Sequence, residues 1–193
     1  MPSPERGAAI LAFLAEAGRL KTTLRSAETA PGRFESVAEH SWSVALLALL
    51  AAPDLPDGLD RLRLLELALV HDLGEAISGD VPAPSQQSGD DRTARERRDL
   101  ATLTAALPAD LRDRIRSLWD EYAAAETPEA RYLKGLDKIE TVTHQATAPQ
   151  AGGFDHRFNL GYARARTDAE PELRALRDAA DSLTRAEIAR RGG

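Results

Sequence analysis

The sequence contains no cysteine and no long apolar run. Without cysteine the chain has no disulfide framework, no thiolate nucleophile and no cysteine-type zinc site. No stretch approaches the roughly 20 consecutive apolar residues that span a bilayer. The opening MPSPERGAAI also lacks the basic and apolar segments of a signal peptide. We therefore expect a cytoplasmic protein that has no membrane partner.

The chain also has no excess of positive charge. The chain has 25 lysine and arginine residues against 31 aspartate and glutamate residues, which gives a net charge of -6. A surface that binds nucleic acid normally carries a basic patch, so we expect no nucleic-acid partner. A small phosphorylated ligand is not excluded, because it needs only a few local cations. The length of 193 residues predicts one domain over residues 1–193.

Apolar residues recur at helical spacing along most of the chain, and no stretch shows the alternation of a half-buried strand. Alanine, leucine, arginine and glutamate dominate, and all four favour helices. We therefore predict an all-α helical bundle. Ser36 and Glu39 have the spacing of a capping box at the start of one helix. The predicted helices cover residues 4–20, 36–52, 60–79, 92–106, 109–124, 128–147, 159–167 and 169–190, with a loop over 80–91.

Histidine and carboxylate residues stand out at four points of this pattern. His71 and Asp72 are adjacent near the end of an apolar helix, with side chains about 100° apart. Binding of one ion by both therefore needs partners from other helices. His40 lies in the first turn of another apolar helix, and Asp137 lies among apolar neighbours. Taken alone, the His71-Asp72 pair is better explained as structural, and His40 and Asp137 are each as readily explained as polar residues of the core. Together, two imidazoles and two carboxylates suit a divalent metal ion with open positions for water and substrate.

The order His…His-Asp…Asp on successive helices resembles the HD superfamily of metal phosphohydrolases. The run HDLGEAISGDVPAP, residues 71–84, is similar to its 5′-deoxynucleotidase branch. The segments LKTTLR (20–25), ESVAEH (35–40) and LWDEY (118–122) are similar to the same branch. The resemblance spans about residues 10–145 and leaves the predicted C-terminal helices, about 155–190, outside it.

The resemblance implies a metal centre and a proton-transferring group. His40, His71, Asp72 and Asp137 would ligate one divalent ion: Co²⁺, Mn²⁺, Mg²⁺, Fe²⁺ or Zn²⁺. Glu75 would be catalytic, either activating water or protonating the leaving alkoxide. Two other HD-type classes, cyclic phosphodiesterases and di-iron oxygenases, use additional histidine ligands before the final aspartate. Residues 73–136 contain no histidine, so a mononuclear hydrolase is favoured.

Further residues are implied to contact the substrate. Asp80 would hold a sugar hydroxyl and take part in catalysis, and Arg25 would hold the phosphate or the sugar. Arg33 and Lys138 are additional candidates for phosphate contacts. Glu121 falls where a carboxylate close to the metal ligands is expected.

One position departs from the family pattern. The family places a tryptophan, which packs on the sugar, directly after the arginine that matches Arg25, whereas this chain has Ser26. We predict a metal-dependent phosphohydrolase that removes the 5′-phosphate from (deoxy)nucleoside monophosphates. The resemblance also implies a homodimer. Two alternatives stay open: a broader nucleotide or sugar-phosphate phosphatase, and a non-catalytic nucleotide-binding module that kept the HD scaffold.

Overall fold

The computed structural model describes residues 3–82, 85, 91–150 and 154–192, and helices dominate these segments. The predicted all-α class is confirmed. Within these segments, no helix has both the length and the apolarity that a membrane crossing requires. In chain order the helices are α1 (Pro4–Ala17), α2 (Val37–Ala51), α3 (Arg61–Val70), α4 (Glu75–Ser78), α5 (Arg92–Leu103), α6 (Ala109–Ala124), α7 (Pro128–Thr147), α8 (His156–Gly161), α9 (Arg164–Thr167) and α10 (Arg174–Arg190).

Helix α7 is the centre of the bundle. It packs against α2, α3, α6 and α10, and its residues Leu133 and Leu136 are fully buried. The Thr127 side chain caps its N-terminus by accepting a hydrogen bond from the Ala130 amide, and Pro128 occupies the first turn, where proline removes no helical bond. On a helix enclosed in this way, a polar side chain must face either a partner or an internal cavity.

An antiparallel hairpin lies between α1 and α2, so the prediction that the chain lacks strands is wrong there. Strand β1 (Leu24–Ala30) pairs with β2 (Arg33–Ser36). Pro31 and Gly32 form the turn, and Gly32 has a φ of 74°. A proline followed by a glycine at positive φ suits a tight turn, and this pair is the sequence signal for the hairpin. The register shifts within the ladder explain why the alternation of apolar residues is weak.

The capping box predicted at the start of α2 is confirmed. The Ser36 hydroxyl accepts a hydrogen bond from the Glu39 amide at 3.2 Å, and the Glu39 carboxylate accepts one from the Ser36 amide at 2.9 Å. These bonds satisfy backbone groups that the first helical turn leaves unpaired. They also fix where the strand ends and α2 begins, which places the first turn of α2 against the interior of the bundle.

The helix predicted over residues 60–79 is interrupted at residues 71–74, between α3 and α4. The backbone bonds there change from the i→i+4 to the i→i+3 pattern. Helix α5 approaches this turn so closely that a Cβ added at Gly74 would lie 2.8 Å from the Cβ of Glu96. Glycine is therefore required at this position. The first two residues of the turn, His71 and Asp72, are predicted metal ligands.

The C-terminal segment also differs from the prediction. The helix predicted over residues 159–167 is divided into α8 and α9, and Ala163 between them has a left-handed φ of 57°. The last helix, predicted over 169–190, begins only at Arg174, after a short 3-10 turn at Pro171–Leu173. The loop predicted over 80–91 lies largely outside the described residues.

Candidate metal centre

The four predicted metal ligands come from three parts of the fold. His40 lies in the first turn of α2, His71 and Asp72 lie in the turn after α3, and Asp137 lies midway along α7. The Nε2 atom of His40 is 3.2 Å from Oδ1 of Asp137 and 3.7 Å from Oδ2 of Asp72. The Nε2 atom of His71 is 3.1 Å from the same Oδ2 of Asp72. The structure thus groups His40, His71 and Asp72 closely enough to share one ion, and Asp137 lies against His40 beside them.

The other ring nitrogen of each histidine faces a hydrogen-bond acceptor. His40 Nδ1 lies 2.6 Å from Oε2 of Glu140, and His71 Nδ1 lies 2.8 Å from the carbonyl oxygen of Ala68. These contacts place the proton of each neutral ring on Nδ1 and leave the lone pair of Nε2 directed at the carboxylates. Within the described part of the chain, neither Nε2 atom has a hydrogen-bond partner. Two imidazole nitrogens and two carboxylates that face one another are a donor set that fits a divalent metal ion.

Asp137 is held by two groups in addition to its position on α7. The Tyr122 hydroxyl donates a hydrogen bond to Oδ2 of Asp137 at 2.7 Å, and Nζ of Lys138 lies 2.8 Å from the same oxygen. Oδ1 is left facing His40. Because Lys138 keeps the neighbouring carboxylate ionised, the pKa of Asp137 lies well below its usual value even though burial opposes this.

Sequence analysis expected Glu121 to be the carboxylate that lies close to the metal ligands, and it missed Glu140. Glu121 forms an ion pair with Arg63 and accepts a hydrogen bond from the Thr127 hydroxyl at 2.7 Å, and it contacts none of the four ligands. Glu140, which is 7% exposed, supports His40 instead. Its sequence signal is its spacing, since it lies three residues after Asp137 on the same face of α7.

A cavity of about 790 Å³ opens beside the metal ligands. Most of the residues predicted to act on the substrate line it, whereas Arg33 does not, because Arg33 is exposed and forms an ion pair with Glu39 at 2.9 Å. Gly79, with a φ of 84°, turns the chain after α4 and brings the next residue to the cavity wall. The predicted residues in the lining are Arg25, His71, Asp72, Glu75, Asp80, Asp137 and Lys138.

Glu75 is a buried carboxyl group in this lining. It is 5% exposed, and its Oε2 atom has no hydrogen-bond partner among the described residues. Burial, together with the negative charges of Asp72 and Asp80, raises the pKa of Glu75 to about 9. A cation beside Asp72 opposes that shift. The group is therefore suited to hold and release a proton near neutral pH.

Arg25 reaches the cavity from strand β1. Its Nε lies 3.0 Å from Oε2 of Glu35 on β2, and its guanidinium donates a hydrogen bond to the Thr141 hydroxyl on α7 at 3.1 Å. Glu35 is 2% exposed, so the guanidinium is held by a buried carboxylate. The hairpin that sequence analysis missed is the element that positions this cation.

Helix α7 contributes one further cation that sequence analysis did not identify. Lys134 lines the cavity, and its Nζ lies 3.9 Å from the centroid of the Tyr122 ring. Burial lowers the pKa of Lys134 to about 8. Lys134 precedes Asp137 by three residues and Thr141 by seven, so its helical spacing relative to Asp137 is the signal that identifies it.

The model of an HD-domain family matches residues 17–177. The chain belongs to the HD-domain family. This HD-domain chain is 33% identical over 144 residues to the 5′-deoxynucleotidase HDDC2 of Mus musculus, covering 74% of this chain and 71% of that protein. It is 31% identical over 156 residues to the 5′-deoxynucleotidase hdd1 of Schizosaccharomyces pombe, covering 78% of this chain and 74% of that protein. These likenesses confirm the predicted branch of the family.

A solved structure of another protein has a fold similar to that of this HD-domain chain. It comes from Magnetospirillum magnetotacticum and is described as a predicted metal-dependent phosphohydrolase. It is 31% identical to this chain with a TM-score of 0.73, and the match covers 96% of this chain and 97% of that one. The prediction of a hydrolase of the HD-domain 5′-deoxynucleotidase family is confirmed, and the cluster of histidine and aspartate residues is the candidate site of its divalent metal ion.

Proposed function

We propose that this protein hydrolyses the 5′-phosphate ester of nucleoside monophosphates, yielding a nucleoside and inorganic phosphate. The observation that carries the proposal is the pair of unpartnered Nε2 atoms, on His40 and His71, that face two carboxylates beside an open cavity. The name 5′-deoxynucleotidase, which the relatives carry, supports the choice of substrate.

His40, His71, Asp72 and Asp137 would hold one divalent ion. When bound, such an ion supplies positive charge to the phosphoryl oxygens and lowers the pKa of its water. Hydrolysis of a phosphate monoester is very slow without a catalyst, so stabilisation of charge has to provide much of the rate. The residues of the chain must still bind the phosphate, orient the sugar and move a proton.

Glu75 is the group that we propose moves the proton. Water forms the new bond to phosphorus while the bond from phosphorus to O5′ breaks. The Glu75 carboxyl donates its proton to O5′, which leaves as the alcohol of the nucleoside, and the attacking water returns a proton to the carboxylate. Its unpartnered Oε2 in the cavity lining supports this role.

Three other side chains of the lining would orient the substrate. Arg25, fixed by Glu35, is positioned to bind phosphate oxygens, and Lys138 offers a second cation next to Asp137. Asp80 would accept a hydrogen bond from a sugar hydroxyl. Arg33 has no part in this proposal, because it lies outside the cavity lining.

Phosphate release across a panel of substrates tests the proposed function. The panel consists of deoxynucleoside and nucleoside monophosphates, the corresponding di- and triphosphates, and ribose 5-phosphate, each with Co²⁺, Mn²⁺ and Mg²⁺. Preferential hydrolysis of the monophosphates supports the proposal. Equal rates on all phosphomonoesters would instead indicate the broader phosphatase, and nucleotide binding without phosphate release would indicate the non-catalytic module.

Ser26 leads to a prediction about the sugar. Ser26 is exposed and lines the cavity next to Arg25, so no large ring at this position crowds the 2′ carbon of the sugar. We expect the protein to hydrolyse both AMP and dAMP, with only a weak preference for dAMP. We expect Ser26→Trp to increase that preference. The measurement is kcat/KM for dAMP and AMP in both proteins. Strong exclusion of AMP by the unaltered protein would contradict the role assigned to Ser26.

We also propose that the protein is a homodimer. Helices α2 and α3 pack together, and each exposes large apolar side chains of a kind that seldom cluster on a monomer surface. A two-fold axis would cover both copies of such a surface at once. Light scattering on the unaltered protein should give the mass of two chains, and Leu50→Glu should give the mass of one; a monomeric unaltered protein would contradict the proposal. The exposed residues are Trp42, Leu46, Leu49, Leu50, Leu62 and Leu69.

A further inference from the structure

Helix α8 and the residue that follows it, Tyr162, present two stacked aromatic rings to the cavity. The ring centroids of Phe158 and Tyr162 lie 5.4 Å apart with an angle of 29° between the rings, and both residues line the cavity. Phe158 is 44% exposed, although burying a ring of this size would be favourable. An aromatic pair left open beside a catalytic cavity offers a flat apolar surface to a ligand.

Lys138 connects the Tyr162 ring to the metal centre. Nζ of Lys138 is 2.8 Å from Oδ2 of Asp137 and 6.0 Å from the centroid of the Tyr162 ring. A nucleoside monophosphate separates its phosphorus from its base by one sugar ring. A phosphate bound next to Asp137 therefore leaves the base within reach of the rings on α8.

Asn159 adds a polar group between the two aromatic residues in sequence. It lines the same cavity and is 1% exposed, and in the described part of the chain neither its side-chain nitrogen nor its side-chain oxygen has a hydrogen-bond partner. A buried amide without partners is destabilising. The edge of a nucleobase offers both a donor and an acceptor and so can satisfy an asparagine amide.

Helix α8 is anchored firmly enough to act as a binding surface. Arg177 on α10 is fully buried and donates hydrogen bonds of 2.7 Å to the carbonyl oxygens of Asn159 and Tyr162. Its Nε donates a further hydrogen bond of 2.9 Å to Asp181. The backbone that carries the rings is thus tied to α10, which fixes the points from which the two side chains extend into the cavity.

We propose that α8 and its C-cap residue Tyr162 form the base subsite, in which Phe158 and Tyr162 stack on the nucleobase and Asn159 binds its edge. The proposal rests on the proposed hydrolysis of nucleoside monophosphates. The proposed subsite lies C-terminal to the segment that carries the HD motifs. It supplies aromatic rings to a cavity in which Ser26 takes the place of the tryptophan of the family pattern. Because every base has a flat face, stacking tolerates all four bases, and Asn159 sets the order of preference among them.

The first test compares a substrate with a base and one without. The measured quantity is the ratio of kcat/KM for dAMP to kcat/KM for 2-deoxyribose 5-phosphate. Phe158→Ala and Tyr162→Ala should each lower this ratio by about 10-fold, the scale of one lost stacking contact. Phe158→Trp should keep it, and Asn159→Leu should change the order of preference among the four bases. Arg157→Ala, an exposed residue of α8 outside the cavity lining, is the matched control.

A second test separates this proposal from the proposed function. Binding of deoxyadenosine, which carries no phosphate, is measured by calorimetry on the metal-loaded protein, so it requires no turnover. We expect Phe158→Ala to weaken this binding by about 10-fold. Deoxyadenosine binding that is equal in the variant and the unaltered protein, or an unchanged kcat/KM ratio, would overturn the base subsite. If the unaltered protein hydrolyses neither dAMP nor 2-deoxyribose 5-phosphate, the proposed function is overturned, whereas the base subsite is still decided by the binding of deoxyadenosine.

Discussion

Asp72→Ala should lose bound metal and phosphate release together while keeping the helical fold. The Asp72 carboxylate faces the Nε2 atoms of both His40 and His71, so its removal takes away the oxygen ligand shared between them. The fold should survive, because the core is built mainly from leucine, valine and alanine. Metal content by mass spectrometry, phosphate release from dAMP and circular dichroism are the three measurements.

His71→Ala should behave in the same way, since it removes one of the two proposed nitrogen ligands. Asp178→Ala is the matched control, because Asp178 is an exposed aspartate of α10 far along the chain from the motifs. It should keep its metal and its activity. Full metal occupancy in both Asp72→Ala and His71→Ala would show that the ion is held elsewhere.

Glu75→Gln should retain metal and substrate affinity but lose roughly two to four orders of magnitude in kcat. Glutamine has nearly the same shape as glutamic acid, but its amide protons are not acidic enough to be transferred to O5′. Because Glu75 is buried and its Oε2 is unpartnered, the substitution removes no hydrogen bond to that oxygen. Single-turnover phosphate release separates the chemical step from substrate binding.

Glu126→Gln provides the comparison for this variant. Glu126 is exposed near the end of α6 and does not line the cavity, so the same chemical change there should leave kcat unaffected. A Glu75→Gln protein with the turnover of the unaltered protein would remove Glu75 from the mechanism and would leave the proton transfer to solvent or to Asp80.

The sequence predicted most of the helices and pointed to four candidate metal ligands, for two physical reasons. Long amphipathic segments such as α7 have a strong helical period, and caps such as Ser36 mark their ends. Aspartate among apolar residues, as at Asp137, is costly unless a partner or a metal compensates it. The interruption at residues 71–74 was not predicted, because the tight approach of α5 that it accommodates is a tertiary contact.

The remaining parts of the site depend on contacts between distant segments. The Arg25–Glu35 pair exists only because Pro31 and Gly32 fold the chain into a hairpin. The Glu140–His40 contact joins residues that are 100 positions apart. The contact between the Phe158 and Tyr162 rings is a local i, i+4 contact, but its position in the cavity wall depends on how the C-terminal segment packs. Local sequence patterns do not predict such contacts between distant segments.

Metal-dependent phosphate release from dAMP tests the central claim most directly. Protein that has been stripped with a chelator is titrated with Mn²⁺, and bound metal and phosphate release are followed together. The account predicts no release by the stripped protein and full recovery when one ion per chain has bound. Undiminished release by the stripped protein, or no release at any metal occupancy, would contradict it.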